Sequence, residues 1–110
     1  MSFFESELVQ KEMQDIQDLH EKIYTTMFAY STLSNEDRMD HITCMEQLVS
    51  KQRVLYTRLS LSDDPVAKEM KANLEKTAMS LGMPDDMDMN TIFNTMEEII
   101  SKMKGKLDRA

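Results

Sequence analysis

Glycine and proline number only two each in 110 residues, so the chain has few places where its backbone reverses cheaply, and the stretches between must be regular. Pro65 and the run Gly82-Met83-Pro84 fall between periodic segments, and Gly105 sits near the C-terminal end. Such sparse punctuation favours helices over hairpins. The apolar spacing agrees. Val9, Met13, Ile16, Leu19, Ile23, Met27 and Tyr30 recur every three or four residues, the stripe of one helical face. This predicts a helix over about residues 3–30, roughly 40 Å long at 1.5 Å per residue, with Ser2 and Glu5 spaced as a capping box.

A second helix is expected over 34–60. Ser34 is its candidate N-cap, and Glu36 and Asp37 lie at its positive end. Its stripe is Met39, Ile42, Met45, Leu48, Val49, Leu55, Tyr56 and Leu59, with a polar interruption at Gln52. Two helices of similar length joined by a few residues should fold back as an antiparallel hairpin. Ser62-Asp63-Asp64-Pro65 then reads as a stop and a restart, with Asp64 as N-cap and Pro65 in the first turn, where its missing N–H costs nothing. The third helix, 65–81, carries Val66, Met70, Leu74, Ala78 and Leu81 on one face and meets Gly82 as a left-handed stop. After the acidic turn Asp85-Asp86-Met87-Asp88, a fourth helix over 89–107 carries Met89, Ile92, Phe93, Met96, Ile99, Ile100, Met103 and Leu107. Lys102, Lys104, Lys106 and Arg109 suit its negative end. The expected fold is all-α: a long antiparallel hairpin plus two shorter helices in a small bundle, one domain spanning 1–110.

Charge and composition exclude several function classes. A net charge of −7 and a pI near 4.7 repel nucleic-acid phosphates, so no direct DNA or RNA ligand is expected. The single cysteine, Cys44, rules out an intrachain disulfide and a multi-cysteine zinc site and fits a reducing compartment. The opening residues lack the basic start and apolar run of a signal peptide, and no stretch approaches the about 20 apolar residues that cross a bilayer. A cytoplasmic address and no membrane partner are the expectation.

Catalytic constellations are missing. His20 and His41 both sit among polar residues and are expected to face solvent; at the offset where a di-iron bundle places glutamate, Gln17 and Arg38 stand instead. Phosphate loops, nucleophile elbows and paired metal histidines are absent. His41 and Cys44 share a helical face at i, i+3 but lack a third group to orient them, so a buried thiol is the simpler reading. No enzyme activity, cofactor or metal is expected. The twelve methionines are the unusual feature. Methionine fills irregular cores and also lines adaptable binding surfaces, and core packing is the plainer use.

The opening Phe3-Phe4-Glu5-Ser6-Glu7-Leu8-Val9-Gln10, the central Leu55-Tyr56-Thr57-Arg58-Leu59-Ser60-Leu61-Ser62-Asp63-Asp64-Pro65 and the later Asp88-Met89-Asn90-Thr91-Ile92-Phe93 together resemble a family of small uncharacterised proteins of cyanobacteria and the tailed phages that infect them. The resemblance spans nearly the whole chain, and the third block looks more like the phage members. It implies a setting, the cytoplasm of a cyanobacterial cell, native or infected, without supplying an activity. In the central block, Tyr56, Arg58, Asp63 and Asp64 form the candidate site: either a structural corner in which Arg58 pairs with Asp63 or Asp64 and Tyr56 closes the core, or a partner-binding surface.

Two function classes follow. One is a non-catalytic interaction module, a phage-encoded regulator or adaptor acting on a host cytoplasmic protein; the other is a structural or assembly component of a phage particle or other oligomeric complex. Two long apolar stripes are more than two shorter helices can cover, so a homo-oligomer, most simply a dimer, is expected alongside an unidentified protein partner.

Overall fold

The computed structural model describes residues 3–80, 82 and 88–108, the Ala78 side chain excepted. A 3-10 turn, Phe3–Glu5, precedes α1, Glu7–Met27; a second, Tyr30–Thr32, leads into α2, Asn35–Leu61; α3, Pro65–Ser80, and α4, Met89–Asp108, follow. No strand occurs among the described residues, so the fold is all-α. The expected first helix is thus divided. The chain enters it from a 3-10 turn, with extended Ser6 at the N-cap, and leaves it at Met27. Near that exit Thr25 and Thr26 return their hydroxyls to the carbonyls of Glu21 and Lys22, a back-bonding that weakens helix continuation.

The other boundaries follow local chemistry. Ser34 Oγ accepts the Asp37 N–H at 3.1 Å, a helix cap. Asp64 Oδ1 accepts the Val66 N–H at 2.9 Å and opens α3. Gly82 takes φ +95°, a backbone that a side chain would strain, and its N–H returns to the Met79 carbonyl at 3.1 Å. The expected roles of Ser2, Leu81 and Arg109 and the 85–87 part of the acidic turn lie outside the described residues, as does the Ala78 side chain.

Helix α2 is the hub. It packs against α1, α3 and α4. Ion pairs Asp15–Lys51 and Glu12–Arg58 fix α1 antiparallel to it, and Arg53–Glu97 and Glu46–Lys104 do the same for α4. A helix with neighbours on several sides has no single apolar face, so its buried residues spread around it: Ile42, Cys44, Val49, Leu55, Tyr56 and Leu59. Ile42, Val49 and Tyr56 join Phe93 and Ile100 of α4 in one core cluster, edged by half-buried Met45, Met89, Met96 and Met103. Those methionines fill the seam between two helices, the packing role a flexible thioether suits.

The molecule is flat, 48 × 33 × 20 Å, its thin dimension about two helix diameters. Its radius of gyration, 15.8 Å, exceeds the about 13 Å of a compact domain this size. A flat layer leaves apolar stripes partly bare. On α1 only Val9 is buried, while Met13 and Met27 are exposed; on α3 Ala67 is sealed and the expected core residue Val66 is 54% exposed; on α4 Ile100 is buried and its neighbour Ile99 faces out.

Candidate functional site

Because α1 and α4 flank α2 without packing closely on one another, a trough runs between them. Its volume is about 380 Å³. Leu55, Tyr56 and Leu59 of α2 make the floor; Ile16 and His20 of α1 make one wall, and Met89, Phe93 and Met96 of α4 the other, with Met70 and Leu74 of α3 at one end. The lining is apolar apart from His20 and Gln52, whose amide nitrogen lies 3.3 Å from His20 Nε2. A site of this kind offers a ligand chiefly shape and dispersion.

Tyr56 anchors the floor. Its ring lies 6.0 Å from that of Phe93, and its hydroxyl donates to Glu75 Oε1 at 2.7 Å, joining α2 to α3. Burial, and then the Glu75 carboxylate that accepts its proton, push its pKa up to about 12. Lys71 stands 5.9 Å above the same ring. Tyr56 therefore belongs to the core cluster and also fixes where α3 ends the trough.

The rest of the expected corner is distributed differently. Arg58 turns toward α1, and its Nε donates to Glu12 Oε1 at 3.1 Å instead of meeting Asp63 or Asp64. The reason is geometric: Arg58 sits a turn inside α2 on the side α1 covers, whereas Asp63 and Asp64 lie beyond the helix end. The Glu12 side chain is only 13% exposed, and its Oε2 is buried without a hydrogen-bond partner among the described residues. Asp64 caps α3 through Oδ1 and with Oδ2 takes the Phe3 backbone N–H at 2.7 Å. Asp63 is exposed. Tyr56, Arg58 and Asp64 thus serve three separate contacts, with α3, α1 and the N-terminal turn.

At the other end of the α1–α2 pair, His41 departs from the sequence expectation. It is 8% exposed. Its ring lies 5.5 Å from that of Tyr30 in the connecting turn, which Arg38 holds down by donating to the carbonyls of Tyr30 and Ser31. Burial pushes the His41 pKa down. His41 and Cys44 line a pocket of about 250 Å³ with Asp37, Asp40 and Lys22. No hydrogen bond orients the imidazole among the described residues, and none of their His, Cys, Asp and Glu side chains group as three or more around a possible metal position. No described helix is long and apolar enough to cross a membrane.

The stripes named most of the trough's residues, but as core. What the sequence could not show is that α1 and α4 stand apart over α2, which turns a shared interior into an open face.

A family profile described as a domain of unknown function, DUF1825, matches residues 1–107. No curated protein and no solved structure matches the chain.

Proposed function

The chain belongs to the DUF1825 family, and we propose that it is a non-catalytic interaction module that works by helix-to-helix association through the α1–α4 trough. The observation that carries this reading is the apolar lining of that open trough, walled by Met89, Phe93 and Met96 and ended by Met70. A concave methionine- and aromatic-lined channel between two helices suits the apolar face of a third. In the cyanobacterial setting that the sequence resemblance implies, this makes the protein a phage-encoded regulator or adaptor of a host cytoplasmic protein. The second reading, an assembly component of a phage particle or other oligomer, is favoured by the exposed apolar residues of α1.

The test places a charge in the trough wall. Met96→Lys should keep the helical circular dichroism of the parent and lose capture of protein partners from a cyanobacterial lysate. A folded Met96→Lys protein that retains every partner would remove the trough from the mechanism. Fixed copy number in purified particles would decide for the assembly role, and presence only in infected-cell lysate for the regulator.

A further inference from the structure

The end of the molecule where α1 runs out and α2 begins carries charges that meet no opposite charge. Asp37, Asp40, His41 and Cys44 follow one another on α2 at spacings of three, one and three, which sets them on one helical face. With Lys22 of α1 and Leu33 of the connecting turn they line a pocket of about 250 Å³. Lys22, Asp37 and Asp40 are exposed, and none of the three joins an ion pair among the described residues. Arg38, the cation between the two aspartates in the sequence, is engaged elsewhere: its guanidinium donates to the Tyr30 and Ser31 carbonyls and lies 5.2 Å from the Tyr30 ring centroid. His41 adds a buried polar group to these surface charges. The residue is 8% exposed, lines the same pocket and has no hydrogen-bond partner among the described residues. Burial lowers its pKa below 6.5, so at neutral pH the ring is uncharged and holds one N–H to donate and one nitrogen to accept. Buried polar groups are almost always paired, and the pocket is the side from which a partner reaches this one.

We propose that this pocket binds a small zwitterion of the α-amino-acid class, with Lys22 holding the carboxylate, Asp37 and Asp40 the ammonium, and His41 a hydrogen bond that orients the molecule. Charge complementarity selects the class. A plain anion meets two carboxylates and a plain cation leaves Lys22 unmatched beside it, whereas a molecule with both signs pairs every charge that lines the pocket. Among the described residues no three His, Cys, Asp and Glu side chains surround a metal position, so the donors suit an organic ammonium and not a metal ion. Size agrees. A cavity of roughly 150 Å³ takes a benzene ring, so a pocket of about 250 Å³ suits about ten non-hydrogen atoms, with Leu33 beside an apolar side chain. The site is separate from the trough, whose lining shares no residue with it.

Full-length protein, titrated with L-leucine and then with the other neutral L-α-amino acids, tests the site through its imidazole nitrogens. The chain has two histidines, so His41→Leu assigns their signals in a proton–nitrogen correlation spectrum. The His41 signals should move with a dissociation constant below about 1 mM, while those of His20 stay. The amine and the acid that match the tightest binder, isoamylamine and isocaproate for L-leucine, should each bind about tenfold more weakly, the cost of one lost charged hydrogen bond. Lys22→Gln and Asp40→Asn, both at exposed positions, should each weaken the amino acid by a similar factor with helicity unchanged, and Lys22→Gln should leave the amine bound at least as well as in the parent. Met96→Lys should bind the amino acid as the parent does, so the pocket and the trough stand or fall separately. No shift at His41 with any amino acid would mean a pocket filled by water only and would overturn the proposal. An amine that binds the parent as tightly as its amino acid would overturn it too, since Lys22 would then hold nothing.

Discussion

Asp64 reaches back sixty-one residues to Phe3: its Oδ2 accepts the Phe3 backbone N–H at 2.7 Å while its Oδ1 caps α3 at Val66. One carboxylate thus joins the chain's N-terminal turn to the start of its third helix. Both bonds favour the ionised form, the Phe3 bond most and the Val66 bond next, and hold the pKa below the ordinary carboxylate value of 3.8. A depressed carboxylate contributes stability above its unfolded pKa and loses it as pH falls through the folded one.

Asp64→Ala should therefore lower the melting temperature by several degrees at neutral pH, and Asp64→Asn by less, since one carbonyl oxygen can keep one of the two bonds. The difference between parent and Asp64→Ala should shrink below about pH 4, the unfolded carboxylate value. Thermal melts of the three proteins from pH 7 to pH 3 measure it; a gap that is constant with pH would show that the charge is irrelevant to the tether.

Arg58 and Glu12 make an unequal pair, one 41% exposed and the other 13%. Removing the arginine leaves a nearly buried carboxylate whose Oε2 already lacks a partner among the described residues. Arg58→Ala should cost about 1–3 kcal/mol, the range for orphaning a buried polar group, and Glu12→Leu added to it should restore part of the loss, because a buried apolar group needs no partner. Denaturant unfolding of the single and double variants decides; a double variant weaker than Arg58→Ala would mean that Glu12 serves α1 in some other way.

Tyr56 gives a spectroscopic signature. With its pKa raised to about 12, ultraviolet titration should find one of the three tyrosines ionising well above the ordinary value near 10. The folded value lies above the unfolded one, so the hydroxyl's contribution is complete below about pH 10 and lost between there and about 12. Tyr56→Phe should erase the late transition and cost about 0.5–1.5 kcal/mol, the net worth of one hydrogen bond.

The sequence made legible what depends on local chemistry. Ser34 caps Asp37, Asp64 and Pro65 open α3, and Gly82 takes a positive φ, because caps and left-handed stops are written within a few residues. The division of the first helix at Ser6 and Met27 was not legible, since neither glycine nor proline marks it. Nor was the choice of Ala67 over Val66 for burial, or of Ile100 over Ile99: each turns on a rotation of about 100° that only packing against α2 decides. Arg58 had acidic neighbours five and six residues on and took one forty-six residues back, a pairing set by the register of the hairpin. The trough lay hidden for the same reason, its walls coming from helices that pack on α2 and not closely on one another.

His41 carries the last prediction. It follows Asp40 in the sequence, yet Tyr30 and the turn that Arg38 secures cover it, and burial alone holds its pKa below the free value of 6.5. The folded protein thus takes up a proton at this ring less readily than the unfolded chain, and stability rises with pH wherever the unfolded state binds more protons. The contribution is full above pH 6.5 and drains away below it, a window well separated from the carboxylate window of Asp64. Asp37, Asp40 and Lys22 line the same pocket. The melting temperature of the parent should fall between pH 7 and pH 5, and His41→Leu, which has no proton to gain, should lose much less over the same interval. Equal slopes for the two proteins would place the acid sensitivity elsewhere and leave His41 a packing residue only.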